Sequence, residues 1–60
     1  MMNVEAISEP DGGWTIFIDG LVVGWLWKNY GYKFAPKAGT RTLGADELRA
    51  IADKMDEVAK

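Results

Sequence analysis

The stretch GGWTIFIDGLVVGWLW, residues 12–27, decides the fold: it gathers all three tryptophans of a 60-residue chain around one Asp19-Gly20 pair. A two-residue type I′ hairpin turn needs positive φ at both central positions, and Asp-Gly meets that need at little steric cost. Trp14 to Ile18 and Leu21 to Trp27 are therefore predicted to pair as antiparallel strands. With only Asp19 and Gly20 in the loop, Ile18 faces Leu21, Phe17 faces Val22, Ile16 faces Val23, Thr15 faces Gly24 and Trp14 faces Trp25. Alternation along each strand then sorts the hairpin into two faces. Trp14, Ile16, Ile18, Leu21, Val23, Trp25 and Trp27 fall on one, and Thr15, Phe17, Val22, Gly24 and Leu26 on the other.

Upstream of the hairpin, Pro10-Asp11-Gly12-Gly13 is a dense turn signal, so residues 4–9 are predicted to form a strand pairing with Trp14 to Ile18. Downstream, residues 28–31 turn into a short strand over 32–35, which Pro36 ends or confines to an edge. A loop of two or four residues puts Tyr32 and Phe34 on the tryptophan-rich face, and a three-residue loop with a bulge at Gly31 would reverse them; the even-length loop is preferred.

A helix is predicted over 45–59. Gly44 is its N-cap, Asp46 and Glu47 sit in the first turn where the helix dipole favours acids, and Leu43 and Leu48 occupy the hydrophobic-staple positions. Leu48, Ile51, Ala52, Met55, Val58 and Ala59 form one apolar stripe, with Arg49–Asp53 and Asp56–Lys60 as i,i+4 pairs on the other side. The fold class is α+β: a single two-layer domain with an antiparallel meander of three to four strands packed on one C-terminal helix.

The residue inventory narrows the function. With 48% hydrophobic and 27% charged residues, the chain has the composition of a folded domain. It has no Cys and no His, which removes disulfides, ordinary zinc sites and Ser-His or Cys-His nucleophile pairs. Its glycines match neither a phosphate-binding loop nor a dinucleotide fingerprint. Asp53, Asp56 and Glu57 are the densest carboxylates, but they lie on the outer side of the helix and read as a solvated surface. No enzyme activity, cofactor or metal is expected. The first ten residues lack the basic and apolar regions of a signal peptide, and the longest apolar run, Leu21 to Trp27, is too short to span a bilayer. A cytoplasmic location without membrane contact is the expectation.

One helix covers one face of a small sheet. The face with Phe17, Val22 and Leu26 is then left over, and it reads either as scattered surface hydrophobes or as a contact surface for a protein partner or a second copy of the chain. Phe17, Val22, Leu26, Trp27 and Tyr30 are the candidate partner-binding residues.

Charge offers an alternative. Residues 20–45 carry Lys28, Lys33, Lys37 and Arg41 and no acid, interleaved with Trp27, Tyr30, Tyr32 and Phe34. Cations on phosphate with rings stacked on bases suit nucleic acid, and a three-stranded sheet can enter a DNA groove. A net charge of −2 and an isoelectric point near 4.8 weigh against duplex binding, and lysines also keep strand edges soluble.

Trp14, Asp19-Gly20 and Val23-Gly24, followed by Gly31, Tyr32, Phe34 and Pro36 and then a terminal amphipathic helix, resemble small bacteriophage and prophage proteins built as a β-meander with one helix. The resemblance implies an accessory protein without enzyme activity. It implies binding to a host protein or nucleoprotein complex in the bacterial cytoplasm, as anti-CRISPR inhibitors of host defence nucleases do. It assigns no functional residue.

Overall fold

The computed structural model describes residues 2–27, 32–39 and 42–59. These residues form β1 (Val4–Ser8), β2 (Trp14–Ile18), β3 (Leu21–Trp27), β4 (Lys33–Pro36) and α1 (Ala45–Val58). The strands make one antiparallel sheet in the order β1-β2-β3-β4, and α1 packs on it, giving the α+β meander that the turn signals predict.

Both hairpin turns follow from their residues. Asp19 (φ 51°) and Gly20 (φ 83°) each adopt positive φ, as a type I′ turn requires. Asp19 also ties down the start of the chain: its N–H donates to the Asn3 carbonyl at 2.8 Å, and its Oδ1 accepts the Asn3 N–H at 2.9 Å. Between β1 and β2, the Gly12 N–H donates to the Glu9 carbonyl at 3.0 Å around Pro10 and Asp11. Gly12 then enters the left-handed region (φ 94°), and the Glu9 N–H closes the hairpin on the Gly13 carbonyl at 2.8 Å. Pro in the second turn position and Gly in the left-handed one are the residues this three-residue loop needs.

The register of β2 with β3 departs from the simple count. Ile18 pairs with Leu21 and Phe17 with Val22, as expected, but Ile16 then pairs with Gly24, Thr15 with Trp25 and Trp14 with Leu26. Val23 is the extra residue of a β-bulge. One inserted residue reverses the facing of everything beyond it. Trp25 and Trp27 therefore share the face of Thr15, and Leu26 joins Trp14 and Ile16. The assignment of Trp25 to the layer beneath the helix is thus corrected, as is the outward placement of Leu26, while Trp27, a candidate contact residue, falls on the outer face.

Gly24 is where the sequence makes this geometry possible. A Cβ there would lie against the Ala35 carbonyl and 2.6 Å from the Phe34 ring, so β4 and its aromatic close directly onto bare backbone. The pairs Leu26–Phe34 and Trp27–Lys33 leave residues 28–32 between the strands, an odd-length connection instead of the preferred even one. Bulge and odd loop offset each other. Tyr32 and Phe34 consequently do pack on the core, although the tryptophans at 25 and 27 do not share their side.

The core is small. Ile16, Ile18, Val23 and Leu26 are completely buried, and Ile51 of α1 is 2% exposed. Val4 and Ala6 of β1, Trp14, Phe34, and Met55 and Val58 of α1 close around them. The buried line of the helix is narrower than its apolar stripe: Leu48 is 50% exposed, and Ala52 and Ala59 are exposed as well. At the helix start, Glu47 Oε1 accepts the Gly44 N–H at 3.0 Å, and Asp46 and Glu47 lie in the first turn as predicted. Arg49 pairs with Asp46 at 3.2 Å and Lys54 with Glu57 at 3.3 Å, both i,i+3, in place of the expected Arg49–Asp53 pair. Such exposed pairs contribute at most about 1 kcal/mol. Lys60, the other half of the expected Asp56–Lys60 pair, lies outside the described residues.

Candidate functional site

The helix occupies one side of the sheet, so the candidate site is built on the other. Strand registers arrange that outer face in three rows. The first runs Glu5, Phe17, Val22. Ile7, Thr15, Trp25 and Ala35 make the second. In the third, Gly13 lies between Glu9, to which its carbonyl is bonded, and Trp27, which pairs with Lys33 of β4.

Alternating strands in a one-sided sheet normally turn polar residues outward. Here Ile7, Phe17, Val22, Trp25 and Trp27 break that pattern, with Ile7 50% and Trp27 44% exposed and the other three half-buried against their neighbours. Charge sits at the margins, with Glu5 and Glu9 on the β1 side and Lys33 on the β4 side. An apolar, aromatic centre with a polar rim is the anatomy of a protein contact surface.

The third row contains a cleft of about 420 Å³. At Gly13 the turn approaches β3 closely: a Cβ there would lie 2.7 Å from the Leu26 carbonyl oxygen and 3.6 Å from the Trp27 ring. Trp14, Trp25 and Trp27 line the cleft together with Glu9, Pro10 and Asp11 of the β1–β2 turn. Thr15, only 8% exposed, donates its hydroxyl hydrogen bond to Glu9 Oε1. Asp11 Oδ1 accepts the Gly13 N–H at 3.0 Å, which fixes the turn carboxylate beside the cleft. The described residues contain no group of three Asp, Glu, His or Cys side chains placed to hold a metal, and no helix long and apolar enough to cross a membrane.

Set against these positions, the sequence-derived sites divide. Phe17, Val22 and Trp27 are on the outer face together. Leu26 is not, because the bulge turns it into the core, where it is fully buried. Tyr30, Lys28 and Arg41 lie outside the described residues. Of the basic set, Lys33 and Lys37 are exposed; Lys33 is beside Trp27, and the Lys37 N–H donates to the Val23 carbonyl at 2.9 Å.

Sequence reasoning missed Trp25, Ile7 and the cleft with Glu9, Asp11 and Gly13. A signal for Trp25 was present, since a glycine inside a strand pattern marks a bulge or a close backbone approach, and Gly24 does both.

The architecture thus defines a small α+β protein with one covered and one aromatic, exposed sheet face. Comparison with protein families, with curated proteins and with solved structures finds no match to the chain.

Proposed function

We propose that the chain is a non-enzymatic binding protein whose outer sheet face, centred on Phe17, Val22, Trp25 and Trp27 and extended by Ile7, contacts a protein partner. The observation that carries this reading is the placement of two tryptophans and a phenylalanine on the side opposite α1, where solvation alone would favour polar residues. Tryptophan and other aromatics at the centre of a surface are typical anchors of binding energy. The sequence resemblance to phage accessory proteins supports a host protein or nucleoprotein complex of the bacterial cytoplasm as that partner, with inhibition of a defence nuclease as one such role. A sheet-to-sheet pairing of two copies would use the same face, and a measured mass in solution separates it from a heterologous partner.

A bait carrying Phe17→Lys, shown by circular dichroism to be folded, tests the reading. A partner captured from bacterial lysate by the wild-type chain is lost from the variant. Capture of the same proteins by both baits contradicts the proposal, provided that the wild-type chain is monomeric at the working concentration.

A further inference from the structure

We propose that the cleft between the β1–β2 turn and the end of β3 receives an arginine side chain of the partner. This narrows the outer-face contact proposed above to a defined anchoring point.

Several features converge on a flat cation. Two carboxylates, Glu9 and Asp11, line the cleft together with the rings of Trp14, Trp25 and Trp27, and no Lys or Arg is among its described lining residues. The nearest stretch of chain reinforces that sign: residues 1–19 contain Glu5, Glu9, Asp11 and Asp19 and no base. At about 420 Å³ the cleft falls at the small end of the roughly 300–1,000 Å³ typical of ligand sites. Indole faces attract cations placed over them. Arginine fits better than lysine, because its planar guanidinium stacks on a ring while its N–H fork bonds a carboxylate edge-on, whereas an ammonium is a point charge that holds its water more tightly.

The site is also held in place before a ligand arrives. Glu9 is fixed by the Thr15 hydroxyl and by its own backbone bond to Gly13, and Asp11 is fixed by the Gly13 N–H. Gly13 lets the β1–β2 turn sit directly against the end of β3, since any larger residue would collide with the β3 backbone. Lys33, the cross-strand neighbour of Trp27, is on β4 and is not among the residues that line the cleft.

The test is a titration of the full chain with a capped Gly-Arg-Gly peptide, read through the indole N–H signals of its three tryptophans by NMR. The same peptide with citrulline, a neutral isostere of arginine, serves as control. Saturable shifts at the indoles of Trp25 and Trp27, at least about tenfold weaker with citrulline and with the Glu9→Gln/Asp11→Asn variant, are the expected result, a difference of about 1.4 kcal/mol. No saturable shift, or equal affinity for both peptides, overturns the arginine site. The broader proposal fails differently. Partner capture lost in Phe17→Lys alongside a flat arginine titration retires the cleft and keeps the face, whereas saturable arginine binding with capture indifferent to Phe17→Lys retires the face and keeps the cleft.

Discussion

β3 has two halves that behave as different strands. Before the bulge, Leu21 and Val22 follow the simple hairpin count from Asp19-Gly20; beyond it, Trp25, Leu26 and Trp27 are turned over. The same seven-residue strand therefore sends a leucine to the core and two tryptophans outward, against the usual ranking of size and burial. Large aromatic residues in a short chain are not core by default. Their face is set by register, and register here is set by the backbone at Val23 and Gly24.

The comparison breaks most clearly at Leu26. Truncating a fully buried leucine removes its transfer free energy and leaves a cavity, so Leu26→Ala is expected to lose about 2–5 kcal/mol, enough to unfold much of a domain this size. Urea denaturation followed by circular dichroism measures it, and a loss below about 1 kcal/mol would return Leu26 to the outer face. Gly24→Ala comes next. The added methyl meets the Ala35 carbonyl and the Phe34 ring, and the strain of overpacking is expected to cost about 1–3 kcal/mol by the same assay. Smallest is Trp27→Ala. With Trp27 44% exposed at the end of the sheet, stability should fall by no more than about 1 kcal/mol, while partner capture suffers. A loss as large as that of Leu26→Ala would mean that Trp27 is core.

Much of the fold was legible in the sequence because it rests on local chemistry. Asp19-Gly20, Pro10-Asp11-Gly12 and Gly44 with Glu47 each specify a backbone conformation within a few residues, and the structure uses all three. The site was less legible, for a reason that is also physical. Which side of the sheet a residue faces depends on a running count, and one bulge residue reverses every position after it. Phe17 and Val22, before the bulge, were placed correctly; Leu26 and Trp25, after it, were not. The cleft depended on a longer-range fact still, the approach of the Gly13 backbone to the Leu26 carbonyl across the hairpin end, which no periodicity in either strand encodes.

The central claim is the turnover of β3 at Val23, and cross-strand nuclear Overhauser contacts test it directly. The account predicts backbone contacts linking Thr15 with Trp25 and Trp14 with Leu26. Contacts linking Thr15 with Gly24 and Trp14 with Trp25 would instead describe an unbulged hairpin, return the tryptophans to the helix side, and remove both the aromatic face and the cleft built on it.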